Sequence, residues 1–101
     1  MFDKLFQAQQ KAEEVKKRLD AIMVTGEAEG GKIRVSASAN KEVRDIQIDS
    51  EFYKETDAEA LGELVVIAIN KALKQADDIS QAEMQAVTKD MLGGMGGLFG
   101  Q

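Results

Sequence analysis

The stretch KIRVSASANKEVRDIQID, residues 32–49, predicts a β-hairpin and decides the fold class. Polar and apolar residues alternate over residues 32–39, which is the pattern of a strand with one buried face. Asn40 and Lys41 then suit a tight turn between two strands. The buried face of the first strand carries the apolar side chains of Ile33, Val35, Ala37 and Ala39.

The returning strand of this hairpin contains an irregularity. Val43 is out of phase with Ile46 and Ile48, because side chains on a strand alternate between the two faces of a sheet. A β-bulge near Arg44 and Asp45 would put all three apolar side chains on one face. We therefore expect Ile46 and Ile48 to lie in the core.

A weaker strand precedes the hairpin. The segment VTGEAE, residues 24–29, alternates less clearly, and the two glycines that follow it supply a turn. The spacing from Gly26 to Lys32 is also that of a nucleotide-binding P-loop, but Ile33 stands where such a loop needs a hydroxyl group. A strand follows it, whereas a P-loop leads into a helix. The sequence thus predicts a three-stranded antiparallel meander and no nucleotide site.

Residues 2–23 predict an N-terminal helix with a basic stripe beside an apolar seam. The seam follows a heptad pattern, and it consists of Leu5, Ala8, Ala12, Val15, Leu19 and Ile22. The stripe consists of Lys4, Lys11 and Arg18, with Lys16 and Lys17 next to it. Two interpretations are open, because such a stripe either pairs with a neighbouring helix as a solvated flank or faces a ligand.

A long second helix follows a capping box formed by Thr56 and Glu59. An unbroken helix to Asp90 would be about 51 Å long, whereas strands of this length reach only roughly 25 Å. The helix therefore projects toward a partner chain or breaks near Ser80, and both alternatives predict a homodimer. The helix residues that we expect to pack against Ile33, Val35, Ile46 and Ile48 are Leu64, Val65, Ala68 and Ile69.

The composition limits the chemistry of the chain. Its 101 residues suffice for one small domain, which we place at residues 1–90, with a flexible Gly-rich tail at residues 91–101. Cysteine and histidine are absent, so a cysteine nucleophile, thiolate metal ligands, the usual general base and the commonest neutral metal ligand are missing. We predict a non-enzyme without cofactor or metal. With no secretory signal and no apolar run of about 18 residues, we also predict a cytoplasmic location away from membranes.

The remaining candidate site is a basic surface on a chain with a net charge of -5. Residues 50–101 hold nine acidic and four basic residues, so the basic density lies in the first half. Lys32, Arg34 and Arg44 on the hairpin add a second basic tract to the helix stripe. Because phosphate contacts require only local positive charge, and no aromatic residues interleave with these cations as a stacking platform, we expect binding of double-stranded DNA through its phosphates.

The order of these segments resembles the YbaB/EbfC family of nucleoid-associated DNA-binding proteins over nearly the whole chain. The most specific segments are GGKIRVSASANKEVRDIQID, residues 30–49, and AINKAL, residues 68–73. The resemblance implies a helix, three strands and a helix in each protomer, a tweezers-shaped homodimer, and DNA binding with modest sequence preference. It further implies a bacterial cytoplasmic and nucleoid location, and a role in gene expression, nucleoid organisation or DNA repair. Replication or recombination-repair proteins are the implied partners.

An alternative function remains open, that of a dimeric protein-interaction scaffold without intrinsic DNA binding. It would use the projecting helices and the apolar residues of the tail. The resemblance does not fix contact residues, so the DNA-binding set rests on charge and spacing. That predicted set is Lys4, Lys11, Lys16, Lys17, Arg18, Lys32, Arg34 and Arg44.

Overall fold

The computed structural model describes the backbone of residues 2–93 and the side chains of residues 3–90. The helices are α1 (Phe2–Ala21), α2 (Ser50–Glu55) and α3 (Ala58–Gly93). The strands are β1 (Met23–Ala28), β2 (Ile33–Ser38) and β3 (Val43–Ile48). The predicted α+β order, with an N-terminal helix, an antiparallel meander and a long C-terminal helix, is confirmed.

The strands form one antiparallel sheet in the order β1-β2-β3. Ser36 pairs with Asp45 and Ala37 pairs with Val43, so Arg44 is an extra residue on β3. This is the predicted β-bulge, and it is confirmed at the predicted position. Because of it, Val43 faces the same side of the sheet as the two isoleucines of β3.

The turn between β1 and β2 is a short 3-10 turn at Glu29–Gly31. Gly30 and Gly31 have φ angles of 62° and 90°, a region that glycine adopts without the steric cost of a Cβ atom. The backbone amide of Lys32 donates to the carbonyl oxygen of Glu29 at 3.2 Å. Since β2 begins directly afterwards, at Ile33, this segment is the predicted turn and lacks the helix of a P-loop.

The hydrophobic core lies between α3 and the strands β1 and β2. On α3 the buried residues are small and recur every four positions, which keeps them on one face. The buried core residues are Val24, Ala28, Ile33, Val35, Ala37, Ala68, Ala72 and Ala76. As predicted, Ala68 lies in this core, and Leu64, Val65 and Ile69 pack half-buried against it.

The prediction that Ile46 and Ile48 are core residues is wrong for the protomer. Their side chains are 42% and 38% exposed, and Val43 is also 38% exposed. All three face the α3 side of the sheet, because each pairs with a buried residue of β2. However, α3 packs against β1 and β2, so this apolar row along β3 stays uncovered.

The start of the long helix also differs from the prediction. A short helix, α2, precedes it, and the side chain of Asp49 caps α2 by accepting from the amide of Phe52 at 2.9 Å. Thr56 is the extended residue that ends α2. The capping residue of α3 is Asp57, whose side chain accepts from the amide of Ala60 at 2.8 Å.

α3 is one continuous helix of 36 residues, about 54 Å long at 1.5 Å per residue. The predicted alternative of a break near Ser80 is therefore wrong. Apolar residues on both sides of that serine, Ile79 and Val87, pack in one cluster with α1, and this burial carries the helix past it. Residues 91–93 of the predicted tail belong to α3, and the rest of that segment lies outside the described residues.

α1 and residues 77–93 of α3 form an arm that extends beyond the sheet. Val15 of α1 is buried in one cluster with Ile79 and Val87. Toward its N-terminus, the predicted seam of α1 is uncovered, and Leu5 is 62% exposed. The protein consequently measures 63 Å in length but only 25 Å and 17 Å across.

Gly26 on β1 allows α3 to lie close to the sheet. A Cβ atom at Gly26 would overlap the carbonyl oxygen of Ala68 and lie 2.5 Å from the backbone nitrogen of Ala72. Since these are helix backbone atoms, only a shift of α3 could relieve the overlap. We expect Gly26→Ala to lower the free energy of unfolding by about 1–3 kcal/mol, measured by urea unfolding with circular dichroism.

Gly62→Ala is the matched control for this change. Gly62 lies in α3, and a Cβ atom there would meet no other heavy atom within 4 Å. Because alanine restricts the unfolded chain and favours the helix, we expect the free energy of unfolding to rise by roughly 0.5–1 kcal/mol. A Gly26→Ala protein as stable as the wild type would refute this close approach.

Candidate nucleic-acid interface

The eight basic residues predicted to contact DNA have exposed side chains. Five of them, Lys4, Lys11, Lys16, Lys17 and Arg18, lie on α1 and therefore on the arm. The remaining three lie on the hairpin, but the fold does not keep them together. Arg44 lies at the root of the arm, beside Asp20 of α1, whereas Lys32 and Arg34 lie at the opposite end of β2.

All three arginines of the chain form ion pairs with carboxylates of the same chain. The pairs are Arg18–Glu83 at 2.9 Å, Arg34–Glu27 at 3.6 Å and Arg44–Asp20 at 3.1 Å. Arg44 has a second carboxylate, that of Glu42, at 3.4 Å. Every one of these side chains is substantially exposed, so each pair is screened by solvent and contributes little to stability.

The lysines of the predicted set differ from the arginines. Among the side chains of residues 3–90, no carboxylate lies within 4.0 Å of the ammonium group of Lys4, Lys11, Lys16, Lys17 or Lys32. Lys4 and Lys11 are separated by seven residues, or about 10 Å along the helix axis. The arm therefore carries lysines that form no ion pair within residues 3–90, although α1 and residues 77–93 together hold eight carboxylates and six basic side chains.

The turn between β2 and β3 anchors the root of the arm. The side-chain amide of Asn40 donates to the carbonyl oxygen of Lys16 at 2.9 Å and to Asp20 at 3.2 Å. On the other side of the turn, Lys41 forms an ion pair with Asp77 of α3 at 2.7 Å. The turn thus joins α1 to α3 where the arm leaves the sheet.

The ion pair with Lys41 lowers the pKa of Asp77. A hydrogen bond from the Lys41 ammonium holds the pKa of Asp77 below its ordinary value of 3.8, partly offset by desolvation. The charge of Lys41, a hydrogen bond from Gln81 and the charge of Lys74 lower this pKa further. Because all of these partners favour the ionised carboxylate, Asp77 keeps its charge under neutral conditions.

The opposite end of the protein is strongly acidic. Residues 45–63, which include the second half of β3, α2 and the start of α3, contain seven carboxylates and a single basic residue, Lys54. Lys54 itself lies 3.5 Å from Glu51. Lys32 and Arg34 lie beside this segment, because Arg34 pairs with Gln47 and the amide of Asp49 donates to the carbonyl oxygen of Lys32.

The described part of the chain contains neither a metal site nor a membrane-spanning helix. Residues 3–90 contain no group of three or more carboxylate, histidine or cysteine side chains that could hold a metal ion. Over the same part of the chain, no helix is long and apolar enough to cross a membrane.

The sequence profile of the YbaB/EbfC DNA-binding family matches residues 1–91, and the chain belongs to this family. A nucleoid-associated protein of Flavobacterium johnsoniae is 34% identical, with 98% of this chain and 94% of the relative aligned. One from Chlorobium phaeobacteroides is 36% identical over 91% of this chain and 81% of the relative. One from Chloroflexus aurantiacus is 37% identical over 92% and 89%. The resemblance found in the sequence is confirmed.

A solved structure has the same fold. The crystal structure of an uncharacterized protein from Helicobacter pylori superposes with a TM-score of 0.64, over 77% of this chain and 90% of that one. The two sequences are 22% identical. This similarity supports the architecture of helix, meander and long helix.

Sequence reasoning identified the basic residues but missed the carboxylates that pair with them. Glu83 and Asp77 lie far from their partners in the sequence, and no local pattern connects them to Arg18 or Lys41. The only signal was the position of Arg18 on the flank of an apolar seam, where pairing with a neighbouring helix was one open interpretation. The structure places Arg18 in such a pair, with Glu83 of α3.

The pairing of Lys41 with Asp77 predicts a measurable pKa change. Lys41 has a φ angle of 68°, which asparagine also tolerates, so Lys41→Asn removes the charge and keeps the turn. We expect the pKa of Asp77 to rise toward 3.8, as followed by an NMR pH titration. Lys54→Gln, at the other end of the protein, should leave this pKa unchanged.

The same pair also predicts a pH dependence of stability. A carboxylate whose folded pKa is depressed stabilises the fold above its unfolded pKa, here near 3.8, and this contribution is lost as the pH falls through the lower folded value. Lys41→Asn should therefore narrow the stability difference between pH 5 and pH 2. An unchanged Asp77 titration in the variant would contradict the pairing.

Proposed function

We propose that this protein binds double-stranded DNA as a homodimer, through phosphate contacts from the lysines of its arm and with low sequence specificity. DNA binding follows from membership of a DNA-binding family. The nucleoid-associated relatives support a location in the bacterial cytoplasm at the nucleoid. The scaffold alternative is not favoured, because the family is described by DNA binding.

The observation that carries the proposed site is the contrast between the two ends of the protein. The arm holds exposed lysines that form no ion pair within residues 3–90, whereas residues 45–63 hold seven carboxylates and one lysine. DNA phosphates would approach the arm and avoid the acidic end. The net charge of -5 then limits non-specific attraction to the rest of the surface.

The chemistry of these residues supports low specificity. An ammonium group is a flexible point charge that suits a phosphate, whereas the planar fork of arginine is better suited to bidentate readout of a base edge. All three arginines of this chain form internal ion pairs. The arm is therefore suited to the phosphate backbone, which is the same in every sequence. We propose no enzymatic activity.

The homodimer is supported by apolar surface that the protomer leaves open. Val43, Ile46 and Ile48 form the uncovered row along β3. On α3 the segment LVVIAI, residues 64–69, is apolar on all sides, and Val66 is 55% exposed. A helix of this kind is normally buried all around.

A second copy of this chain is the partner that we propose for this apolar surface. In a chain of 101 residues the core is small, and association is a common way to enlarge it. Two-fold symmetric homodimers are the commonest soluble assemblies. A dimer would also present two arms to one duplex. Contacts with replication or recombination-repair proteins, and a role in gene expression, nucleoid organisation or repair, remain proposals from the family resemblance.

Lys11→Gln tests the arm. Removal of this charge should weaken binding equally for duplexes of unrelated sequence, because only phosphate contact is lost. The slope of log affinity against log salt should flatten by about 0.9 for each phosphate that is no longer neutralised, or about twice that if both protomers engage. Binding is measured by fluorescence anisotropy of labelled duplexes over a series of salt concentrations.

Lys54→Gln is the matched control for the arm test, because it removes the same charge from the acidic end. We expect it to leave affinity and salt slope close to wild type. If Lys11→Gln and Lys54→Gln weaken binding equally, the arm is not the contact surface. A wild-type protein that binds no duplex at low salt would refute the proposed function as a whole.

Ile46→Lys tests the dimer. Placing a charge in the uncovered row of β3 should prevent association without unfolding the protomer, since this side chain is already 42% exposed. Light scattering should report about 11 kDa for the variant and twice this mass for wild type. Gln47→Lys is the control, because its side chain points to the other face of β3, and it should remain dimeric. A monomeric wild type, or a dimeric Ile46→Lys protein, would refute the proposed interface.

A further inference from the structure

Arg18 is the residue of the basic stripe whose contact with a phosphate is obstructed by another side chain of the protein. It follows Lys4 and Lys11 at the same seven-residue interval. Its guanidinium group has the donor geometry best suited to a phosphate. One of its terminal nitrogens, however, lies 2.9 Å from a carboxylate oxygen of Glu83 on α3.

We propose that Glu83 is an internal competitor of the DNA phosphate at Arg18. The carboxylate presents the same charge and the same oxygen acceptors that a phosphate would bring. Arg18 can give all of its donors to a DNA phosphate only when it exchanges Glu83 for that phosphate, so Glu83 lowers the affinity of the arm for DNA. This inference rests on the proposed DNA-binding function, and it identifies Glu83 as a residue that lowers the affinity for DNA.

The geometry of the pair allows such an exchange. The side chain of Arg18 is 56% exposed and that of Glu83 is 31% exposed, so solvent and ligands reach the pair. The structure records one hydrogen bond between them, from Nη2 of Arg18 to Oε2 of Glu83, and the other donors of the guanidinium are available to a phosphate. Exposed pairs of this kind are weak, and the phosphate charge density of DNA is high.

Release of Glu83 would not dismantle the arm. The interface between α1 and α3 also includes the cluster of Val15, Leu19, Ile79 and Val87, in which Val15 and Leu19 are buried. The turn residue Asn40 separately holds α1 through the carbonyl oxygen of Lys16. The exchange therefore changes the partner of one side chain and leaves the packing of the two helices in place.

The other two arginine pairs are less suited to this role. Asp20 accepts hydrogen bonds from both Arg44 and Asn40, so its loss would disturb the turn at the root of the arm. The ion pair of Arg34 with Glu27 is longer, at 3.6 Å, and lies on the sheet, away from the arm. Glu83 is thus the carboxylate whose removal would free an arginine on the stripe with the least structural change.

Glu83→Gln is the test variant, assayed by anisotropy with labelled duplex DNA. We expect affinity to rise roughly twofold to fivefold for each protomer that engages. The salt slope should also become steeper, by about 0.9 for each additional phosphate that the protein neutralises. The steeper slope is the more specific result, because it reports that Arg18 has taken a phosphate as its partner.

Asp90→Asn is the matched control. Asp90 lies two turns further along the same face of α3, is exposed, and has no basic group within 4.0 Å among the side chains of residues 3–90. The change removes the same charge near the arm but frees no arginine. It should therefore raise affinity by a smaller factor, with an unchanged salt slope.

A double-mutant cycle separates the specific effect from general electrostatics. In an Arg18→Gln background, Glu83→Gln should lose its advantage over Asp90→Asn, because no guanidinium remains to be freed. Circular dichroism and light scattering of each variant verify that fold and assembly are retained. Glu83→Ala serves as a second variant and should give the same result as Glu83→Gln.

The outcomes distinguish this inference from the proposed function. If wild type binds duplex DNA but Glu83→Gln matches Asp90→Asn in affinity and slope, the competitor role is refuted and DNA binding by the arm stands. The competitor role is also refuted if, in the Arg18→Gln background, Glu83→Gln still binds DNA more tightly than Asp90→Asn. Absence of duplex binding by wild type and all variants would instead refute the proposed function.

Discussion

The close approach of α3 to β1 at Gly26 is the constraint on which the rest of the structure depends. With no side chain on the strand at this point and alanines at positions 68, 72 and 76 of the helix, the helix backbone lies almost directly on the strand. This close packing sets the position and direction of α3. Because the helix is longer than the sheet, its second half must continue into solvent, where α1 packs against it and the two together form the arm.

The basic side chains on and beside the arm fall into two groups, those that form no ion pair within residues 3–90 and those that do. The lysines of α1 form no ion pair among the described side chains, while Arg18 and Arg44 are held by Glu83 and Asp20. In the proposed function these lysines would contact a polyanion through charges without geometric selectivity, while the arginines stay engaged internally. The acidic end, residues 45–63, would repel the same polyanion and so favour its approach from the side of the arm. These features suit a protein that contacts many DNA sequences at modest affinity.

Several parts of the fold were predictable because they depend on consecutive residues. The hairpin and the bulge at Arg44 follow from a period of two that is interrupted once, and the continuous apolar pattern predicted a long second helix. The cap at Thr56 was wrong, because an acceptor one residue later, Asp57, bonds to the first turn of α3 and a separate helix precedes it. The burial of Ile46 was wrong because a pattern reveals the apolar face of a strand but not the width of the helix that covers it.

The sequence by itself determined the order of the main helices and strands, the apolar faces, the absence of histidine and cysteine chemistry, the family resemblance and the identity of the basic residues. Only the tertiary structure decided which of those basic residues are already paired. Arg18 and its partner Glu83 are 65 positions apart in the chain, and they meet because α1 packs against the second half of α3. Local patterns arise from neighbours along the chain, whereas an ion pair depends on where two distant helices come together, and that is set by packing over the sheet.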